Sequence, residues 1–517
     1  MNRNILKSTF SSRPFRIFLF CCLLFSGFQS RLFAESAVME KFDYKGDIFF
    51  RGFYLSRDLP MKKQNDSLCA KDEYLSYFIP PAAAAVHSPC KEADDYYQTR
   101  FRLDTSFRPG AYADVVYGLE VGHLTFGKDN PGSTGPGSGG KGSATNIETR
   151  QLFLDMHNLD KTMSVRAGLF PVGTPHGIVL ASSGAGIHTS YEGKLNSLDL
   201  SYLRKEDNSI VDGDSNGFSD SNYNNVHLGV LSWKFSGISW LKTDTYFVYR
   251  KDSDTSDEGK DGNETSSMGW AGLYAQLRYK KFTLLLHGIY NHGTFKRPFA
   301  YYPSLLEKLA FFPEIKYAYD TALLAGYPLK SRHEVDAGAG EMEISYQIFD
   351  TTKLTLMAAG ASGRLGIEPN GDPVDYRRDQ FRTAGSAFQG SDIAVDSSGG
   401  YSIFSLGKLT GVVQKGIRID NDILQNLSIQ IAYYTFDAYR TPTITYNNYY
   451  QLYLDTKKPD NHLGEEWNMK LGWKIMTLLS LDLRAARFDA QNGYKILYDV
   501  EYGDEIYEFS ASLTQKF

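Results

Sequence analysis

Along residues 96–108, YYQTRFRLDTSFR, Tyr97, Thr99, Phe101, Leu103, Thr105 and Phe107 alternate with Gln98, Arg100, Arg102, Asp104, Ser106 and Arg108. A period of two marks a β-strand with one apolar face and one charged face. The alternation returns in MSVRAGLF (163–170), SLDLSYLRK (197–205), LKTDTYFVYRK (241–251), WAGLYAQLRYK (270–280), QNLSIQIAYYTF (425–436), EWNMKLGWKIM (466–476) and LSLDLRAARFD (479–489). Period two therefore governs the chain.

The connections alternate as well. Short ones fall at 108–111, 158–161, 193–197, 235–239, 279–281, 349–353, 420–426 and 475–478. Between them lie long polar or Gly-rich stretches at 57–95, 125–146, 171–186, 206–222, 252–265, 294–332, 365–399, 440–463 and 490–503. Eight short and nine long connections imply eighteen strands. An even strand number with short and long ends alternating predicts an all-β fold, a membrane-spanning antiparallel β-barrel with short periplasmic turns and long extracellular loops. Lipid forces closure, because every backbone polar group must be paired within the sheet. Closure also explains the charged face: Phe101, Leu103 and Phe107 meet acyl chains, while Arg100, Arg102 and Asp104 face a wet lumen.

The N-terminus changes the picture next. Residues 1–34 carry basic residues, an apolar core IFLFCCLLFSGF (17–28) and RLFAES, reading as a signal peptide with cleavage after Ala34. Phe20, where a lipobox wants a small residue, argues against lipidation at Cys21 or Cys22. The barrel then occupies 35–517, with strands and loops over 43–517 and too little chain before the first strand for a plug domain. No later apolar run approaches the roughly 20 residues of a membrane helix. The leader holds five basic residues and no acidic ones, so processing moves the formal charge from -5 to about -10. That disfavours nucleic acid as a partner. Cys69 and Cys90 remain, both in the first long connection, and in an exported protein they are expected to form a disulfide, two unpaired thiols being the alternative.

Despite the net acidity, the inward set is basic. Parity places Arg100, Arg102, Arg166, Arg250, Arg278, Arg418, Lys470 and Arg484 in the lumen, with Lys242, Lys408 and Lys474, against Asp104, Glu120, Asp199, Asp244, Asp482 and Glu508. A basic bore in low-dielectric walls concentrates anions, and the planar fork of Arg matches carboxylates. The alternative is a set of ion pairs that fill and stiffen the barrel. Parity breaks in NIETRQLFL and HLGVLSWKF, where one bulge reverses every face. GLFPVGTPHGIVLASSGAGIHTS (168–190) reads as a small-residue loop, either folded into the bore as a constriction or external. The apolar stretch 294–332 is expected to pack in or over the mouth.

Little else carries chemistry. DGDSNGFSD (212–220) has the early spacing of a calcium loop, but Tyr223 stands where a bidentate Glu is needed, so a solvated acidic loop is the expectation and no metal site is assigned. The ten histidines are scattered and no nucleophile elbow appears, so no catalytic residue and no cofactor are assigned.

The segments YYQTRFRLDTSF (96–107), SVRAGLFPVG (164–173) and HTSYEGKLNSLDLSYLRK (188–205) resemble the alginate-export family of outer-membrane channels and related porins. That resemblance implies an eighteen-stranded barrel, a periplasmic N-terminus and an Arg-lined bore for an anionic polymer, with Arg100, Arg102 and Arg166 as substrate contacts. The terminal EIYEFSASLTQKF, ending on Phe517, is similar to the C-terminal signature read by the barrel-assembly machinery. The expected function is passive passage of hydrophilic anionic solutes, or export of an acidic polysaccharide, through a porin-like channel in the outer membrane of a diderm bacterium. The alternative is a surface adhesin or structural barrel with a closed lumen.

Overall fold

The computed structural model describes residues 41–57, 62–63, 94–126, 147–206, 225–253, 265–298, 330–363, 365, 378, 381–384, 388–395, 401–402, 409–440, 460–494 and 505–517. Eighteen strands form one antiparallel sheet. They are β1 (Lys41–Arg57), β2 (Asp94–Gly110), β3 (Ala113–Phe126), β4 (Ile147–His157), β5 (Met163–Gly173), β6 (Ala181–Glu192), β7 (Asn196–Glu206), β8 (Asn225–Ile238) and β9 (Leu241–Ser253) in the first half. The second half holds β10 (Thr265–Tyr279), β11 (Phe282–Pro298), β12 (Lys330–Phe349), β13 (Thr352–Ala361), β14 (Val412–Leu424), β15 (Leu427–Ala438), β16 (His462–Met476), β17 (Leu479–Ala490) and β18 (Glu505–Lys516). Each strand pairs with its chain neighbours, and β1 also pairs with β18 from Asp47↔Lys516 to Arg57↔Ile506, so the sheet closes on itself. The two-residue strands Lys62–Lys63 and Tyr401–Ser402 pair separately.

Phe517 completes the seam. Its backbone N–H donates to the Gly46 carbonyl at 3.1 Å, and its carbonyl accepts from the Gly46 N–H at 3.0 Å. Its ring stacks on Phe101 with centroids 5.9 Å apart. A side chain at position 46 would meet that ring and the Arg102 carbonyl oxygen, so only glycine fits there.

The outer face is apolar in three bands. At the short-turn end stand exposed aromatics such as Phe42, Tyr44, Tyr279, Phe349 and Trp473; at the long-loop end stand Tyr54, Tyr202, Tyr249, Tyr290 and Trp467. Aliphatic side chains including Leu200, Leu231, Leu273, Leu286, Leu356 and Ile417 fill the belt between them. On β11 the two aromatic bands are marked by Phe282 and Tyr290. Eight residues apart, they lie about 27 Å from each other along the strand, which a barrel tilt of about 40° reduces to about 20 Å of height.

Of the two stretches where the alternation failed, HLGVLSWKF (227–235) pairs in unbroken register and only NIETRQLFL holds a bulge. A separate bulge leaves His123 of β3 unpaired opposite the Thr99–Arg100 step, beside Gly122, whose φ of 138° requires glycine. The bulge in NIETRQLFL leaves Arg150 unpaired in the ladder opposite the Gly118–Leu119 step. One connection is shorter than its sequence suggests. The expected 171–186 loop is only 174–180, because the small residues of β6 pair in full with β5 (Gly184↔Phe170, Gly186↔Gly168) although the outward Ala181, Ser183 and Ala185 give little apolar signal.

Candidate functional site: the lumen and its inner loop

The connection from β13 to β14 folds inward. Near its start Trp270 Nε1 on β10 donates to the Arg382 carbonyl at 2.7 Å, and the Arg382 N–H donates to Asn291 Oδ1 on β11 at 3.2 Å. Arg250 on β9 donates to the Ala384 carbonyl at 3.4 Å. Further on, the buried Glu466 of β16 receives three backbone amides at 2.9 Å: Asp392 and Ile393 on Oε1, Ala394 on Oε2. Gln414 on β14 donates to the Gly390 carbonyl at 2.6 Å, and Ser391 Oγ accepts from the Val395 N–H at 2.9 Å. The loop thus bridges walls six strands apart on the ring. Phe381, Ile393, Ala394 and Val395 are buried in the contact.

The eight lumenal cations expected from parity all lie on the inner face, in three settings. Arg100 pairs with Asp47 at 3.2 Å, Arg102 with Glu120 at 2.6 Å and Arg166 with Asp155 at 3.0 Å. Arg150 adds to this wall, 3.4 Å from Glu120 and 4.0 Å from Asp104. Four arginines therefore meet four carboxylates, and Arg100 and Arg166 also lie over the Phe49 and Phe153 rings at 4.6 and 4.4 Å. These eight groups balance one for one, and Arg51 on the same wall donates to the neutral Gln98 at 3.0 Å.

The second setting is not balanced. Asp420 is shared by Arg418 and Lys353, each at 3.2 Å. Asp392 of the inner loop is shared by Lys470 at 2.9 Å and Arg484 at 3.9 Å. In direct ion pairs four cations meet two carboxylates, and Glu466, whose oxygens receive amides, adds a third negative group beside Asp392. In the third setting Arg250 carries the loop, and Arg278 sits exposed at the short-turn end with no ion pair among the described residues.

Between this basic arc and β12 lies a cavity of about 230 Å³ roofed by residues 388–391. Glu341 and Glu343 stand at its β12 side, Arg418 and Lys470 at the other, with Phe388 and Tyr434 between.

The 174–180 turn supports the same loop, since the Val179 carbonyl accepts from the Ala384 N–H at 2.9 Å. His176, at a φ of 52°, is held by Glu341 Oε2, 2.8 Å from its Nδ1. That hydrogen bond, and the charge of Glu341, raise the His176 imidazole above its ordinary 6.5 against the opposing effect of burial. A raised value means the contact stabilises the turn fully below 6.5 and is lost as pH rises through the raised pKa. We expect amide exchange across Thr174–Leu180, corrected for intrinsic base catalysis, to quicken through that window, and His176→Ala to exchange fast throughout with no such step.

Parity found the cations but not Arg150, Asp392, Glu466 or the His176–Glu341 contact. The one usable signal was the apolar run IAV (393–395) inside a polar connection. Lys408, Cys69, Cys90, the 212–220 segment, the 1–34 leader and residues 299–329 lie outside the described residues.

No protein-family model matches the chain, and no curated protein does. Among solved structures it is similar to three barrels from Pseudomonas aeruginosa. OccK11 (OpdR) is 11% identical with a TM-score of 0.46, covering 93% of this chain and 98% of its own. The outer membrane protein opdK is 10% identical, with a TM-score of 0.46 and coverages of 92% and 98%. OccK8 (OprE) is 13% identical, again at 0.46, 92% and 98%. The chain is a porin-like closed barrel, a description that rests on its own strand register.

Proposed function

We propose that this chain is a passive outer-membrane channel for small hydrophilic solutes, with a preference for those bearing negative charge. The banded exterior suits a bilayer: aliphatic at mid-height, aromatic at both rims. Short turns then face the periplasm and long loops the exterior, and Phe517, exposed at the seam, is the feature offered to the assembly machinery. The observation that carries the solute reading is the cation-rich wall beside the cavity, where Arg418 and Lys353 share Asp420, and Lys470 and Arg484 share Asp392. In a narrow wet passage such a surplus draws anions and repels cations.

Export of an acidic polysaccharide is supported less well. A sugar chain has to thread the lumen, and the inner loop bridging β9–β11 to β14–β16 narrows it. The basic arc suits a carboxylate-bearing small molecule instead.

Planar-bilayer recording tests the proposal. The refolded barrel should give stable openings, and under a salt gradient its reversal potential should shift toward the anion equilibrium value. A barrel that shows heat-modifiable folding on gels yet never opens overturns the channel reading in favour of a closed-lumen surface protein.

A further inference from the structure

Resting on that channel reading, we infer that the cavity under the inner loop takes a zwitterionic solute, its carboxylate toward Arg418 and Lys470 and its ammonium toward Glu343. The cavity has two electrical ends. At the β14–β16 side Asp420 and Asp392 are each shared by two cations, which leaves that wall one positive charge in surplus once Glu466 beside Asp392 is counted. At the β12 side Glu341 is occupied by His176 at 2.8 Å, with His287 at 3.8 Å. Glu343 makes no ion pair among the described residues, and it lines the cavity.

Register sets the scale. Glu343 pairs with Met357, which pairs with Gly416, and Arg418 is the next inward residue along β14. Two strand spacings put the two backbones about 10 Å apart. Both side chains rise side by side from the inner face, so their charged heads lie about as far apart as the backbones, and a molecule whose opposite charges are separated by a few carbon atoms fits between them. A plain anion satisfies one end and leaves Glu343 repelling it. A cation meets the reverse.

The test uses three solutes of one length: γ-aminobutyrate (zwitterion), succinamate (anion) and γ-aminobutyramide (cation), as radiolabelled tracers into proteoliposomes holding the full barrel. The wild type should admit γ-aminobutyrate about five-fold faster than succinamate, the effect of one added favourable charge contact in a wet site. The cation should be slowest. Glu343→Gln should bring γ-aminobutyrate down to the succinamate rate and leave succinamate equal or faster, whereas Arg418→Gln should slow both. Succinamate entering as fast as γ-aminobutyrate in the wild type, or a ratio unmoved by Glu343→Gln, overturns the zwitterion inference while the channel stands. No entry of any solute, with the barrel shown folded by gel shift, sinks the channel reading itself.

Discussion

Glu466→Ala raises the conductance of the reconstituted barrel and makes its open current noisy. The physical cause is the loss of one acceptor group serving three donors. Asp392, Ile393 and Ala394 give their amides to a single fully buried carboxylate. Hydrogen bonds to a charged group contribute about 1.5–3 kcal/mol each, and buried amides left without an acceptor incur a desolvation cost. Alanine offers none, so the segment has to leave the wall and solvate its amides in the lumen. A loosening of about 3 kcal/mol or more at this anchor follows, given that the three bonds share two oxygens. The attachments at Trp270, Asn291 and Arg250 persist, as does that of Gln414 to Gly390, so the segment beyond Gly390 loosens while the rest of the loop stays in place.

A second signature separates this from general damage. Asp392 leaves with the loop, freeing Lys470 and Arg484 of their only shared carboxylate, and Glu466's own charge is gone. Anion preference should therefore rise together with conductance. Glu466→Gln, which keeps one carbonyl oxygen but turns an amide N–H₂ toward amide donors, should fall between wild type and alanine. Single-channel recording at fixed salt reads both quantities. Unchanged conductance in Glu466→Ala, with folding intact, would show that segment 388–395 does not define the narrow section.

The fold was legible because a barrel wall repeats one rule. Residues such as Phe101, Leu103 and Phe107 need only face lipid, and Arg100 and Arg102 only water, so parity along each strand carries the topology. Legibility ended where the rule is suspended. The bulge at Gly118/Leu119 hid Arg150, since one extra residue reverses the faces beyond it. On β6 the outward positions ahead of Ile187 are Ala181, Ser183 and Ala185, too small to read as an apolar face, although they are fully paired. The site escaped for a different reason. Glu466 sits at an inward position like any other, and nothing local marks it as the anchor for amides more than seventy residues away in the chain. Which arginines are neutralised is likewise a matter of cross-strand register: Arg166 meets Asp155 only because β4 and β5 pair as they do.

That difference in register sets up the remaining prediction, Arg418→Gln combined with Arg484→Gln. Each substitution removes the surplus member of a trio and leaves an intact pair, Lys353 with Asp420 at 3.2 Å and Lys470 with Asp392 at 2.9 Å. The cavity wall should become more negative by two charges with no carboxylate orphaned and the inner loop still anchored on Glu466. Two unit charges acting on a passing ion at about 7 Å in a water-like medium amount to about 1 kcal/mol, a several-fold change in anion-to-cation permeability. The reversal potential under a salt gradient should move toward zero by that amount, with conductance nearly unchanged. The matched control removes a balanced pair, Arg166→Gln with Asp155→Asn, which faces the same lumen and changes no net charge. It should leave the reversal potential where it was. If instead the control shifts selectivity as far as the double variant does, the preference arises from individual arginines along β2–β5 and not from the surplus beside the inner loop. Should neither variant shift it, the source of selectivity is outside this arc, and the charge count at Asp420 and Asp392 has no bearing on which ions pass.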